Sequence, residues 1–340
     1  MNSVKQILIT GIFRSGTTLI AQIIKNHPKI EMVYDSVNFM RFSFGMYDPL
    51  EKFENVKSLI KEIHERIAQR WDMHFDYEKV LNTLKKQEIS YKTIYNTLMN
   101  NLLLTGSNAI IWGEKTTLVW SKIPHFFEMF PDGGVIHIIR DPRAIITSWS
   151  KMTHAPGYDY LDAIFNCLDS MDKMKKYKEI FKERRYIPIK YEDLVMEPVR
   201  IVSKICTIFG IDFYEEMLNY NHFIDKSGQK WKGNSMFTQD IKGISTQTMD
   251  LWKDQLSDWE IWLIEFFNEK MMDYFNYKRV NVIPTENVIK QVMKNIKSSP
   301  LLIDGVLNYL FKGKGIERFP SDPLDPKTWD NGEKEYSKVK

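Results

Sequence analysis

Residues 7–24 constrain the fold of this chain more than any other stretch. They read Ile-Leu-Ile-Thr-Gly-Ile-Phe-Arg-Ser-Gly-Thr-Thr-Leu-Ile-Ala-Gln-Ile-Ile. An Ile-rich apolar run stops at Gly11, a polar turn runs through Arg14, Ser15, Gly16, Thr17 and Thr18, and Leu19, Ile20, Ile23 and Ile24 then recur at helical spacing. That change of period marks a buried strand, a tight turn and an amphipathic helix. Gly16 lets the backbone approach a ligand closely, and Thr17 and Thr18 offer hydroxyls at the helix entrance. The first N–H groups of such a helix have no partner inside it, so with Arg14 they form a site for an anion. A nucleoside-triphosphate loop requires G-x-x-x-x-G-K-[ST]. Here Gly11 and Gly16 have four residues between them, but Thr17 stands where the Lys belongs. The loop therefore suits a phosphate-like group other than the β/γ-phosphates of ATP.

A second segment, residues 135–149, has the same build. Its apolar run 135–139 ends in Arg140, and Asp141 precedes Pro142, which suits the first turn of a helix. Ser148 then lies about two turns along that helix. An Arg offers a phosphate a planar fork of donors, and a Ser adds a neutral one.

Together the two segments resemble the sulfotransferase family, whose sulfuryl donor is 3′-phosphoadenosine 5′-phosphosulfate (PAPS). Gly11-x-x-Arg14-Ser15-Gly16-Thr17-Thr18-Leu19-Ile20 is similar to that family's 5′-phosphosulfate loop. It is the form found in carbohydrate, tyrosylprotein and bacterial members, with Arg in place of the Lys of cytosolic ones. The resemblance covers residues 5–270 and implies where the donor sits. Arg14 and the backbone of Ser15, Gly16, Thr17, Thr18 and Leu19 would hold the 5′-phosphosulfate, and Arg140 and Ser148 the 3′-phosphate. Trp112-Gly-Glu-Lys-Thr116 resembles a segment whose Lys points at the reacting sulfate, which makes Lys115 a second catalytic cation beside Arg14. Counting through His27-Pro28 puts Asp35 where the tyrosylprotein branch has its general-base Glu; Glu31 and His27 are the fallbacks. Tyr191, in Lys190-Tyr-Glu-Asp-Leu194, would reach the adenine side. Trp231-Lys-Gly-Asn-Ser235 resembles the W-x-G-N-S loop of bacterial and tyrosylprotein-like members. Lys242, Gly243 and Ser245 match the start of a late segment that closes over the donor, although this chain is four residues longer there than the cytosolic pattern.

The alternation of apolar runs and helical patterns predicts an α/β fold. Its centre is a parallel sheet of about five strands (4–10, 30–34, 109–112, 134–139 and 186–190) with helices on both faces. Helices are expected at 16–26, 117–130, 142–151, 158–182 and 193–209, with the resemblance implying a P-loop NTPase-like arrangement. A helical insertion at about 49–107, including 56–71 and 91–104, would lie over the acceptor cleft. The sulfotransferase domain is expected to span 1–311, followed by a loosely packed or partly disordered tail at 312–340. The last 70 residues carry no motif that points to a role.

Composition narrows the partners. With 43% apolar and 27% charged residues the chain can bury a sizeable core. A net charge of +3 with scattered Lys and Arg gives no case for nucleic acid. The two cysteines, Cys167 and Cys206, have no zinc-type spacing and sit in apolar settings as inert thiols. No metal is expected. No apolar run approaches the ~20 residues of a membrane span, and the loop begins almost at the first residue, so the reading is a cytoplasmic enzyme. The acceptor is a hydroxyl on a small molecule, carbohydrate, lipid or peptide. Two other readings stay open: a P-loop nucleoside or sugar kinase, which would need the missing Lys and an acidic Mg²⁺ ligand, and a non-catalytic binding protein on the same fold. Arg14, Arg140, Ser148 and Lys115 together argue against the second.

Overall fold

A computed structural model of the chain describes residues 4–151, 157–224, 230–231 and 243–318. Its centre is a parallel sheet of β1 (Gln6–Gly11), β2 (Ile30–Tyr34), β3 (Ile111–Lys115), β4 (Gly134–Ile139) and β5 (Arg185–Lys190), in the order β2-β3-β1-β4-β5. Side chains alternate across a strand, and here both sides are apolar. Ile7, Ile9, Ile136 and Ile138 turn to one face, where α1 (Thr17–Lys25) packs through Ile20, Ile23 and Ile24. Leu8, Trp112, Val135 and Ile139 turn to the other face, against Ile60, Tyr95, Phe126 and Ile164. This doubly covered parallel sheet is the architecture that the sequence predicts.

The insertion is helical. It comprises α2 (Phe39–Phe42), α3 (Phe53–Trp71), α4 (Tyr77–Leu84), α5 (Tyr91–Met99) and a π-helical turn, Asn100–Leu104, where a continuous helix to 104 was expected. After β3 the chain turns through Leu118, at φ 58°, so the helix expected at 117–130 starts late, as a 3₁₀ turn (Trp120–Lys122) and α6 (Ile123–Met129). α7 (Pro142–Ser150) follows β4 and is capped by Asp141, whose side chain accepts from the Arg143 N–H. The segment expected as helix 158–182 opens with a 3₁₀ turn (Asp159–Asp162) before α8 (Ala163–Ile180). Pro198 has no N–H to give, so the helix expected at 193–209 divides into α9 (Tyr191–Met196) and α10 (Pro198–Phe209).

β3 differs most. The sequence predicts a strand at 109–112, but the strand runs Ile111–Lys115, so Gly113, Glu114 and Lys115 lie inside it. Gly113 pairs with Met32 of β2, and a Cβ there would stand 2.3 Å from Met32 Cε, the movable tip of that side chain. Glu114 is tolerated because its carboxylate is fully hydrogen-bonded, as described below.

The last 70 residues, for which the sequence offered no motif, begin inside the last turn of α11 (Asp258–Tyr274) and supply α12 (Glu286–Ser298) and α13 (Pro300–Lys312). α11 opens on a capping box between Ser257 and Glu260 and packs on α8. The tail expected from 312 begins with a packed stretch. The Ile316 N–H donates to the Phe165 carbonyl, and the Arg318 guanidinium meets Asp162 and the Leu301 carbonyl. Residues 319–340 lie outside the described part.

Candidate functional site

All five strands run the same way, so their carboxyl ends line one edge of the sheet. Arg14 and the start of α1 follow β1, Asp35 follows β2, Lys115 closes β3, Arg140 follows β4 and Tyr191 follows β5. Open α/β sheets bind ligands at this edge.

The loop after β1 is held in shape by its own backbone. The Ser15 N–H and Oγ both donate to the Ile12 carbonyl, at 3.2 and 2.6 Å. Arg14 has φ 66° and Gly16 has φ 95°, and the left-handed pair turns the chain into α1. Gly16 is required twice over, since a Cβ there would also lie 2.4 Å from the Tyr191 ring. It is the N-cap of α1 and supplies no side-chain acceptor, so the leading amides of the helix stay available to an anion. Thr17 and Leu19 are buried and Thr18 is half-buried at the same entrance.

Arg140 closes the other side. Its guanidinium lies 4.2 Å above the Tyr191 ring and donates to the Arg14 carbonyl at 3.1 Å and to the Thr248 carbonyl at 2.6 Å. Its Nε is buried with no hydrogen-bond partner among the described residues. Arg14 Nε in turn donates to Ser148 Oγ at 2.8 Å. Ser148 is an acceptor there, which leaves its own hydroxyl proton to give. The resemblance separates Arg14 from Arg140 and Ser148 along the donor, whereas here the three form one cluster. An orphaned buried donor, two guanidinium groups and an uncapped helix start are the surroundings that a multiply charged anion requires, so the residues fit a phosphorylated donor.

Beside this cluster Lys115 Nζ meets Asp35 Oδ2 at 2.5 Å. The backbones lock too, because the Asp35 N–H donates to the Lys115 carbonyl at 3.0 Å. Asp35 takes φ 56°, and the turn it starts is clamped from below. Arg66, fully buried on α3, donates to the carbonyls of Ser36 at 2.9 Å and Val37 at 2.7 Å. Glu114 accepts from the Phe39 N–H at 3.4 Å and from the Tyr95 hydroxyl. Burial pushes the Glu114 carboxyl above the usual carboxylate range, with those hydrogen bonds and Arg66 opposing it. Glu31 and His27, the fallback bases, are set apart from this edge. Glu31 is the second residue of β2, about 13 Å before Asp35 at a strand's usual rise. His27 lies just past the end of α1, at the opposite edge, where Nδ1 accepts from the Lys29 N–H and burial lowers its pKa.

Of the late segment, Gly243 (φ 81°) and Ser245 are described, and Ser245 Oγ accepts from the Gln247 N–H at 3.2 Å. Lys242, and residues 232–235 of the loop beginning at Trp231, lie outside the described residues. The segment meets Arg140 through Thr248, which the sequence reading did not include: its carbonyl takes the guanidinium and its hydroxyl bonds the Tyr191 hydroxyl at 2.9 Å. Arg143, also unforeseen, stabilises this docking. It stacks 3.8 Å over Trp252 and pairs with Asp141 and Glu265, both at 2.7 Å. Among the described residues no three His, Cys, Asp or Glu side chains gather as metal ligands, and no helix is long and apolar enough to cross a membrane. Cys167 and Cys206 are free and buried, and burial raises both thiols, Cys206 to about 11.

A family profile described as the sulfotransferase family matches residues 6–216. The chain is similar to protein-tyrosine sulfotransferase of Drosophila melanogaster, at 23% identity over 267 residues, 74% of this chain and 47% of that protein. Protein-tyrosine sulfotransferase 1 of Danio rerio is 21% identical over 252 residues, 72% of this chain and 65% of that one. The chain thus spans about half to two thirds of the length of these curated relatives. In structure it is similar to the sulfotransferase domain from the curacin biosynthetic pathway, with a TM-score of 0.54 and 18% identity over 82% of this chain and 99% of that one. That likeness concerns the fold.

Proposed function

This chain belongs to the sulfotransferase family, and from that premise we propose that it transfers a sulfuryl group from PAPS to a hydroxyl acceptor. The observation that carries the proposal is the carboxyl edge of the sheet, where the cluster of Arg14, Ser148 and Arg140 adjoins the Lys115–Asp35 pair. The first is a seat for phosphates, the second a cation beside a base. Bound there, PAPS supplies a sulfuryl group already activated by its anhydride bond to phosphate.

The side chains have separate tasks. Arg14 and the amides of Ser15 through Leu19 neutralise the 5′ end, Arg140 and Ser148 take the 3′-phosphate, and Tyr191, beneath Arg140, borders the adenine. Gly243 and Ser245, with Lys242 before them, cover the donor. Lys115 directs its charge at oxygens that gain charge as the bond breaks, the kind of stabilisation that dominates such transfers. Asp35 accepts the proton of the attacking hydroxyl. Its pairing with Lys115 gives it a second duty, to orient that ammonium until the acceptor arrives.

Peptidyl tyrosine is the first acceptor to test, because the relatives named above are protein-tyrosine sulfotransferases; sugar, lipid and small-molecule hydroxyls complete the panel. A cytoplasmic setting belongs to the same proposal. The decisive experiment pairs two measurements. PAP, the desulfated product, should raise the melting temperature where ATP with Mg²⁺ does not, by about 2.7 kcal/mol of stability at 100 times Kd. Labelled PAPS should then pass its label to at least one acceptor. Stabilisation by ATP instead of PAP would return the kinase reading.

A further inference from the structure

Helix α13 is apolar on the side that faces away from the protein. It buries Leu302 and Gly305 and packs Val306 and Tyr309 on the core. The opposite side shows Ile303, Leu307, Leu310 and Phe311, which are 37%, 44%, 69% and 83% exposed. Their spacing of four, three and one residues makes a single stripe along the helix. Scattered exposed apolar residues are ordinary, but a continuous stripe is the mark of a contact surface.

The charge around the stripe identifies the occupant. Lys312 and Lys314 are exposed directly beyond Phe311, and Lys290, Lys294 and Lys297 are exposed on α12, which packs against α13. Between 286 and 314 the acids are Glu286 and Asp304. Glu286 is already paired with Lys290 at 2.6 Å, and Asp304 lies 3.6 Å from Arg318. A second copy of the chain is a poor partner, because a two-fold contact would set the stripe against itself and bring lysine toward lysine. An anionic bilayer satisfies both features, with apolar side chains entering the headgroup boundary and lysines meeting the phosphates above it.

We infer that α13, flanked by the lysines of α12 and of residues 312–314, is a docking surface for an anionic lipid bilayer, with Leu310 and Phe311 as its inserted residues. The surface is independent of the sulfuryl-transfer site and does not rest on its assignment. The contact is peripheral, and it weakens as salt screens the lysines.

The test is flotation of the full chain with vesicles of phosphatidylcholine alone and with about one third phosphatidylglycerol. The expected result is co-flotation with the anionic vesicles, reduced by high salt. L310E/F311E should weaken it by about tenfold or more, and K312E/K314E by a smaller factor. Both pairs are exposed, so circular dichroism and PAP-induced stabilisation should match the parent. Absence of flotation, or flotation that neither double variant changes, overturns the proposal. So does a dimer in sedimentation that L310E/F311E dissolves, which would give the face to a second copy.

Discussion

Lys115 Nζ lies 2.5 Å from Asp35 Oδ2, across the adjoining ends of β3 and β2. Lys115 is 3% exposed and Asp35 34%, so the cation is sunk behind the carboxylate. Of the two charges, the carboxylate is the one open to solvent.

That order gives a sharp expectation for Asp35→Asn. The amide keeps the size but cannot take a proton, so kcat should fall by about 10²–10⁴ while PAP affinity holds. The loss should be largest for a weakly acidic alkyl hydroxyl and smallest for a phenol. Rates measured with acceptors of graded acidity decide it. A uniform loss would make Asp35 an orienter of Lys115 and not the base.

The bond from Arg14 Nε to Ser148 Oγ couples two residues that the family pattern assigns to opposite ends of the donor. Arg14→Ala should lower kcat by about 10²–10³, the usual loss for one charge-stabilising donor. Ser148→Ala should weaken PAP binding by about tenfold, near the upper end for a single hydrogen bond, and should also lower kcat by releasing Arg14. The two changes should combine to less than their product. Full multiplicativity in a double-mutant cycle would show that the contact does not organise the site.

Most of the sheet was legible because its strands are apolar on both faces. β2 and β4 keep the limits read from sequence. β3 was misplaced by three residues at its end because Gly113-Glu114-Lys115 breaks the apolar run; what makes them strand is backbone pairing with β1 and β2, with the Tyr95 hydroxyl on Glu114, all distant in sequence. The break at Pro198 and the capping box from Ser257 to Glu260 are carried by local residue chemistry alone. The site divides the same way. Arg14 and Arg140 announce themselves by position after strands. Thr248 does not, since it acts through a backbone carbonyl that any residue possesses. Arg66 reads as one more arginine on an amphipathic helix, and only packing reveals it as buried.

His137 predicts an acid-sensitive fold. It is fully buried on β4 between the Tyr186 hydroxyl and Ser170 Oγ, both at 2.9 Å, and burial lowers its pKa from 6.5 to about 3. The unfolded chain therefore binds the extra proton, so this contribution is present above pH 6.5 and is lost toward pH 3, at up to about 1.4 kcal/mol per unit. Glu317 works with the opposite sign: burial raises its carboxyl from 4.5 to about 7, so its contribution is full below pH 4.5 and is lost as pH rises through 7. Chemical denaturation from pH 4.5 to 6.5 should thus tilt in opposite senses for His137→Gln and Glu317→Gln. Parallel profiles would show that one of the two is not buried in that state.

Arg66 provides the last expectation, because it ties the turn after Asp35 to the insertion. Its guanidinium holds the Ser36 and Val37 carbonyls and pairs with Glu62 at 2.6 Å, while Glu114 holds the Phe39 N–H three residues beyond Ser36. Arg66→Met keeps the bulk but leaves the Ser36 and Val37 carbonyls without a donor and Glu62, 22% exposed, without its cation, which should cost about 1–3 kcal/mol. The same variant should lower kcat more than it weakens PAP binding, since the turn carries Asp35 and not the donor cluster. Adding Glu114→Gln removes the buried charge that Arg66 offsets, so the double variant should recover part of the stability but little of the rate. Urea melts and initial rates on the four proteins of that cycle separate the two effects. Equal recovery of stability and rate would mean that Arg66 supports the fold alone, with no part in setting Asp35.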